Sequence, residues 1–232
     1  PFWETMRVRR RTRLSRAALR ADKMKLIWHG HACFELISKG GSVVFDPYSP
    51  GSIRGLELKP LRADCVICSH SHSDHDYAAG VELTGAEPRF ELTRIPTYHD
   101  GKLGALRGDN LCSIVCAEGL RLAHLGDLGH TLDPETAAKF GAVDVLMIPV
   151  GGYYTICPQQ AKEVALALDA KTVIPMHYRS AGIGLENVAY VDDFLALWSG
   201  DEAVYLPGCE YEVEKSAKRR IVVFEPDKNC IK

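Results

Sequence analysis

Three histidines and two aspartates crowd into nine residues of this chain, in the stretch CSHSHSDHD at positions 68–76. His70, His72, Asp74 and His75 form the pattern H-x-H-x-D-H directly after the apolar run 65–68. Imidazole nitrogens bind zinc, iron and manganese, and a carboxylate adds an anionic ligand that offsets the charge of the ion. Because the chain leaves a predicted strand here, these side chains can converge, and the pattern predicts a metal site.

Three more residues of ligand type each stand at the end of an extended run. His99 follows residues 95–98, Asp127 follows residues 122–126, and His177 follows residues 173–176. Functional groups of α/β proteins collect at the carboxyl ends of the strands. We therefore expect these three side chains to meet the cluster at positions 70–75 and to supply enough ligands for two metal ions.

Two adjacent metal ions would activate water for hydrolysis. Cations about 3.5 to 4 Å apart lower the pKa of a bridging water and orient the resulting hydroxide for attack. They also polarise a carbonyl or phosphoryl oxygen and stabilise the charge that develops on it. Asp74 is placed to handle the proton of the hydroxide, so we predict it to be catalytic as well as a ligand. No catalytic serine or cysteine is required.

Short strands that alternate with a few helices must position these residues. Helical periodicity predicts helices at 134–140, 158–170 and 188–198. No repeat or linker divides residues 24–232, so we predict one α/β domain. Apolar or alternating runs bounded by turn residues predict strands at 25–28, 33–37, 43–45, 65–68, 111–115, 120–125, 143–148, 172–176 and 221–224.

Charge is distributed unevenly along the chain. Residues 1–23 carry eight basic groups against Glu4 and Asp22, a net charge of +6, which leaves −8 for residues 24–232. We predict that residues 1–23 form a basic extension outside the core and that residues 24–232 form the domain. An acidic domain argues against a nucleic-acid partner.

The composition, 46% hydrophobic and 25% charged residues, is that of an ordinary globular protein. No apolar run approaches the about 18 residues of a membrane span. The basic extension lacks the apolar segment of a secretory signal, so we expect a cytoplasmic protein whose eight cysteines stay reduced. The expected partner is a small-molecule substrate, and a homo-oligomer is left open.

The ordered set of ligand-type residues resembles the five motifs of the metallo-β-lactamase fold superfamily. The strings WHGHACFEL, YHDG, HLGDLGH, PVGGYYT and IPMHY are similar to the small metal-dependent hydrolases grouped with L-ascorbate-6-phosphate lactonase. The resemblance implies a four-layer αββα sandwich with a dinuclear site between two sheets. By that analogy the first metal is held by His70, His72 and His99, the second by Asp74, His75 and His177, and Asp127 bridges the two.

The predicted cofactors are two divalent transition-metal ions, with zinc preferred and manganese or iron as alternatives. Two more residues are predicted to act on the ligands instead of the ions. Asp46 ends a predicted strand, where its carboxylate would accept an imidazole N–H and fix the tautomer. The alternative is an aspartate that shapes the turn before Pro47. His31 lies in one of the sequence strings that resemble the family, and we predict that it supports a ligand in the same way.

Substrate contacts are predicted at Tyr153, Tyr154 and Thr155, which offer hydroxyls beside two glycines. The N-terminus of the following helix favours an anion. The alternative is an ordinary Gly-Gly turn with packed tyrosines.

The predicted function is metal-dependent hydrolysis of a small anionic ester, lactone or phosphoester by a metal-bridging hydroxide. A metal-dependent nuclease or phosphodiesterase and a non-hydrolytic iron redox protein are the alternatives.

Overall fold

The computed structural model of the protein describes residues 23–180 and 182–225. The predicted basic extension, apart from Lys23, lies outside these residues. Within them, no helix is both long enough and apolar enough to cross a membrane.

The first sheet has five strands, and three of them run in the same direction. Its order is β13-β1-β2-β3-β5. Strand β2 pairs antiparallel with both β1 and β3, and β5 pairs parallel with β3. Strands β1, β3 and β5 therefore run in the same direction. The bounds are β1 Lys25–Gly30, β2 Cys33–Ser38, β3 Gly41–Phe45, β5 Cys65–Ile67 and β13 Glu210–Glu212.

The second sheet has seven strands in the order β12-β14-β11-β10-β9-β8-β7. Strands β9, β10 and β11 are parallel. Because β8 pairs antiparallel with both β7 and β9, β7 also runs in their direction. The bounds are β7 Glu91–Tyr98, β8 Asp109–Ala117, β9 Leu120–His124, β10 Val145–Pro149, β11 Thr172–Met176, β12 Ala203–Pro207 and β14 Arg220–Glu225. A separate parallel pair joins β4 Leu61–Ala63 to β6 Val81–Leu83.

The described helices are short: α1 Pro134–Phe140, α2 Pro158–Ala167 and α3 Val191–Leu195, with single 3-10 turns at Ala78–Gly80 and Gly200–Glu202. Helix α1 starts where the carboxylate of Asp133 accepts the N–H of Thr136, and it ends at Gly141 with φ 63°. Helix α2 buries Ala161, Val164 and Ala165 and packs on β10, while α3 packs on α2.

The main core lies between the two sheets. Alternate residues of β1, Leu26 and Trp28, are buried, as expected for a strand with one face on a core. Trp28 stacks on Phe224 of β14 with ring centroids 5.8 Å apart, so aromatic packing joins the sheets directly. Strands β10 and β11 are buried at every position, because the second sheet is covered on both faces.

The outer face of the first sheet has its own apolar cluster. Val44 packs there with Tyr48, Ile53 and Leu56 from the segment after β3 and with Val81 of β6. Both central layers of the predicted αββα sandwich are therefore present, with α2 outside the second sheet. The described residues that cover this face of the first sheet come from the 48–63 segment, which includes β4, and from β6.

Every strand and helix that the sequence analysis placed is present; α1 and β11 have the predicted bounds, and most of the others have shifted ends. Helices α2 and α3 are shorter than predicted, since α2 ends at Ala167 and α3 spans only Val191–Leu195. Strands β4, β6, β12 and β13 were not predicted, and of β7 only residues 95–98 were predicted, as an extended run. These strands are short or lie at sheet edges with exposed residues, so their hydrophobic pattern is weak.

Candidate metal centre

The carboxyl ends of parallel strands from both sheets deliver the candidate residues to one place. On the first sheet, His31 follows β1, Asp46 follows β3, and the cluster at 70–75 follows β5. On the second sheet, His99 follows β7 and His177 follows β11 directly, while Asp127 lies three residues after β9. The two edges face each other, since the ring centroids of His31 and His177 are 4.1 Å apart.

One group of histidines collects on one side of the site. The ligand atoms of His70, His72 and His99 all lie within 4.8 Å of one another. The ring of His70 is 4.5 Å from that of His72 and 4.7 Å from that of His99, measured between centroids. His72 is exposed, whereas His99 is buried, so this side of the site opens to solvent.

A second group lies beside the first. It contains Asp74, His75, His177 and also His31, with all ligand atoms within the same 4.8 Å limit. Nε2 of His75 is 3.7 Å from Oδ2 of Asp74. His75 and His177 are buried, and Asp74 is partly exposed. The second group is therefore more enclosed than the first.

The carboxylate of Asp127 contacts members of both groups. Its Oδ2 lies 3.2 Å from Nε2 of His99 in the first group and 3.2 Å from Nε2 of His177 in the second. Its Oδ1 lies 3.2 Å from Nε2 of His75. The carboxylate of Asp127 thus lies between the two sets of imidazoles.

Polar atoms without hydrogen-bond partners concentrate at this site. Among the described residues, buried side-chain N and O atoms that lack a hydrogen-bond partner include Nε2 of His31 and Nε2 of His70; Nε2 of His75 and Oδ1 of Asp127 also lack one, because their 3.2 Å contact does not have hydrogen-bond geometry. Leaving such groups unpaired is costly, so they mark a missing partner. A metal ion accepts lone pairs from all of them, and the donor set of imidazoles and carboxylates suits zinc, manganese or iron. The residues therefore fit a metal centre.

The charges in the site favour a neutral imidazole at His70 and an ionised carboxylate at Asp127. Burial lowers the pKa of His70 to about 4, and the nearby His75 adds to this effect. Burial opposes ionisation of Asp127, but the adjoining His177 and His75 hold its pKa well below the usual range. His70 thus keeps a free lone pair at neutral pH, as a metal ligand must.

Asp46 and Ser69 orient two of the candidate ligands. Oδ2 of Asp46 accepts a hydrogen bond from Nδ1 of His75 at 2.8 Å and one from the hydroxyl of Ser69 at 2.6 Å. The Ser69 oxygen in turn accepts from Nδ1 of His70 at 2.9 Å. Both imidazoles are thereby held with Nδ1 protonated and Nε2 turned into the site. Ser69 was not predicted, although it directly precedes the cluster.

Replacement of Asp46 by Asn is expected to weaken metal affinity or activity by about 10- to 100-fold, the usual effect of losing a partner that orients a ligand. Oδ1 of Asp46 accepts the backbone N–H of Ser69 at 2.7 Å while Oδ2 accepts from His75, so an amide, which has only one oxygen, cannot accept at both positions. Metal content at limiting zinc measures the effect. Asp64→Asn is the matched control, because Asp64 also accepts from a backbone N–H, that of Ser42, but lies outside the candidate metal groups. Wild-type metal affinity in Asp46→Asn would make Asp46 a simple turn residue.

Asn110 positions Asp127 through the backbone and was also not predicted. Its Oδ1 accepts the N–H of Asp127 at 2.9 Å, while its amide donates to the Leu125 carbonyl at 2.9 Å and to Thr97. The chain can pass this close only at Gly126, where a Cβ would lie 2.4 Å from Asn110 Oδ1. A sequence pattern gives no sign of such a contact between separate strands.

The three residues predicted to contact substrate differ in their surroundings. Tyr153 is exposed, with its carbonyl accepting from the guanidinium of Arg107 at 3.1 Å. The same guanidinium lies 5.6 Å from the ring centroid of Tyr154. Thr155 is buried, and its hydroxyl donates to the carbonyl of Ile156. Arg107 and the two tyrosines thus form a cationic and aromatic surface. The hydroxyl of the buried Thr155 is not part of it.

Arg107 ends a loop that begins directly after His99. The carboxylate of Asp100 accepts four backbone N–H groups in this loop, from Lys102, Gly104, Leu106 and Arg107. Asp100 therefore fixes the loop against the candidate ligand that precedes it.

Comparison with known proteins gives consistent matches. The family model described as a beta-lactamase superfamily domain matches residues 25–177, a range that begins at β1 and ends on His177. A UPF0173 metal-dependent hydrolase of Thermoplasma acidophilum is 27% identical over 191 residues, covering 68% of this chain and 85% of the relative. A UPF0173 metal-dependent hydrolase of Enterococcus faecalis is 28% identical over 205 residues, covering 72% and 91%.

Solved structures share the fold. A metallo-beta-lactamase superfamily protein from Thermotoga maritima is 34% identical, with a TM-score of 0.70, over 88% of this chain and all of that one. A chain from Parabacteroides distasonis has a TM-score of 0.61 over 88% of this chain and 94% of that one. At 16% identity this second likeness shows the fold alone.

Proposed function

The chain belongs to the beta-lactamase superfamily domain family, and from this membership we propose that it hydrolyses a small anionic ester, lactone or phosphoester at a centre of two divalent metal ions. The predicted family resemblance is confirmed, and with its relatives the chain is a metal-dependent hydrolase with the metallo-beta-lactamase fold. The observation that carries the proposal is the Asp127 carboxylate, 3.2 Å from a histidine of each ligand group.

In this proposal each ligand group holds one ion. The first ion would be held by His70, His72 and His99 and the second by Asp74, His75 and His177, with Asp127 shared between them. Zinc is the preferred ion, with manganese or iron as alternatives, because imidazole and carboxylate ligands suit all three. We also retain the four-layer αββα arrangement, with the centre between the two sheets.

When bound, two such ions supply Lewis acidity that lowers the pKa of a water between them and polarises the scissile bond. Asp74 is the carboxylate suited to exchange a proton with solvent, because its side chain is 20% exposed whereas that of Asp127 is 2% exposed. Asp46 and Ser69 hold His75 and His70 in one tautomer during turnover.

The preference for an anionic substrate rests on Arg107 and the tyrosines beside it. The guanidinium can pair with a carboxylate or phosphate, while Tyr153 and Tyr154 offer aromatic faces and hydroxyls. Thr155 contributes less, since its hydroxyl is already bonded to the backbone. The loop fixed by Asp100 ties this surface to His99, so a substrate held by Arg107 would lie next to the first ligand group.

The test is a hydrolysis screen of the zinc-loaded chain with lactones, phosphodiesters, thioesters and β-lactams. We expect turnover of at least one anionic substrate, loss of turnover on chelation and its recovery on adding zinc. His29→Gln is the matched control, because His29 pairs with Glu35 and lies outside the ligand groups. Exclusive turnover of RNA or DNA would favour the nuclease instead. A folded, metal-loaded chain that hydrolyses none of these substrates would overturn the proposal.

A further inference from the structure

His31 occupies a strained turn that is fixed to the second sheet. It follows β1 directly and has φ 53°, a left-handed conformation that is uncommon for any residue except glycine. Its carbonyl accepts the indole N–H of Trp28 at 3.0 Å and the backbone N–H of His177 at 3.5 Å. The turn that carries His31 is thus joined to the strand end that carries a candidate ligand.

The imidazole of His31 lies inside the second ligand group. Its ring centroid is 4.1 Å from that of His177 and 5.2 Å from that of His75. The residue is only 4% exposed, and its Nε2 is a buried atom without a hydrogen-bond partner. Oδ2 of Asp74 lies 3.5 Å from this Nε2.

This separation fits a shared ion better than a direct hydrogen bond. An N–H···O bond spans about 2.7 to 3.2 Å between heavy atoms. Two ligands that each lie about 2.1 Å from one zinc ion and subtend about 90 to 120° at it, as in four- or five-coordinate sites, are about 3.0 to 3.6 Å apart. The 3.5 Å between Nε2 of His31 and Oδ2 of Asp74 exceeds the hydrogen-bond range and falls within the second range, and the 3.7 Å between Nε2 of His75 and Oδ2 of Asp74 lies just above it.

We propose that His31 binds the second metal ion directly through Nε2, beside Asp74, His75 and His177. This inference rests on the proposed dinuclear function and replaces the supporting role predicted for His31 from its position in the sequence. The second site then has four ligands of its own besides Asp127, and the first has three. The second site is therefore the tighter one and loses its ion last when zinc is withdrawn.

Two substitutions of His31 separate a ligand from a hydrogen-bonding partner. His31→Asn keeps a residue that tolerates the left-handed conformation but is too short to reach the ion. His31→Gln extends an amide group to nearly the position of Nε2, so it could donate a hydrogen bond to Asp74 but supplies no imidazole nitrogen. The matched control is His29→Gln, two residues away in the same strand-turn segment and outside the ligand groups.

The metal-loaded variants would be dialysed against graded zinc chelator and the retained zinc measured, with cobalt-substituted samples for absorption spectra. We expect both His31 variants to hold one ion more weakly by over about 100-fold, beyond the usual effect of an orienting residue. Their cobalt spectra should change, because one ligand nitrogen is lost, while His29→Gln matches wild type. Circular dichroism of the same samples reports folding.

Wild-type zinc retention and an unchanged cobalt spectrum in His31→Gln would overturn the proposal. His31 would then act on Asp74 by hydrogen bonding instead of binding the ion. Loss of folding in His31→Asn alone would leave His31→Gln as the deciding variant. Failure of the proposed function looks different, because the wild-type chain itself would then retain fewer than two zinc ions or, when fully loaded, hydrolyse none of the screened substrates. The two failures are therefore distinguishable in one set of samples.

Discussion

Asp127→Asn is expected to release both metal ions and to reduce hydrolysis by more than the about 100-fold that marks the upper range for orienting residues. The substitution keeps the shape of the side chain but removes the negative charge that offsets two dications. Because Asp127 is 2% exposed, water cannot reach the site to compensate for the lost negative charge. Zinc content after gel filtration and turnover of the best substrate measure the effect.

Asp144→Asn is the matched control for this substitution. Asp144 also lies beside the seven-stranded sheet, where its carboxylate accepts the N–H of Arg121 at 2.9 Å, but it is outside the ligand groups. The control should keep both ions. If Asp127→Asn retained two ions and near-normal turnover, the carboxylate would merely shape the turn before Gly129, and the bridging role would be refuted.

The second large effect concerns the separation of the two sites. His72 belongs only to the first ligand group, and His177 belongs only to the second. His72→Ala is therefore expected to empty mainly the first site, and His177→Ala mainly the second, so each variant should keep close to one ion. Both should lose most hydrolysis, because neither retains a pair of ions.

Zinc retention against a graded chelator and cobalt absorption spectra distinguish the two variants. The spectra should differ, since the remaining ion has different ligands in each. Identical loss of both ions from His72→Ala and His177→Ala would mean that the groups act as one site and that separate occupancy is wrong.

The sequence identified the candidate ligands because chemistry and strand position coincide in them. The cluster at 70–75 is contiguous, so its pattern is visible without a structure. His99, Asp127 and His177 were accessible to prediction because each follows an apolar run that ends at the functional edge of the sheet.

The residues that orient the ligands could not be found in the same way. Ser69 bonds to Asp46, and Asn110 bonds to the backbone of Asp127, between elements far apart in sequence. Ser69 also contacts the adjacent His70. Serine and asparagine are common in loops, so their types carry little signal until the strands are paired. The position of His31 in a left-handed turn is likewise a tertiary feature.

The fold was predictable where hydrophobic periodicity is strong. Strands β10 and β11 are wholly buried apolar runs and were found. Strands β12 and β13 expose most of their residues, so burial gives them little pattern. The cover of the first sheet by Tyr48, Ile53 and Leu56 comes from a segment without regular structure, which periodicity cannot detect.

The central claim is a dinuclear metal centre, and metal counting tests it most directly. The chain would be purified without chelator, saturated with zinc, freed of loose metal by gel filtration and analysed by inductively coupled plasma mass spectrometry against quantitative amino-acid analysis. Close to two zinc ions per chain are expected. A folded chain that retains one ion would contradict the dinuclear centre, and a chain that retains none would contradict the metal site itself.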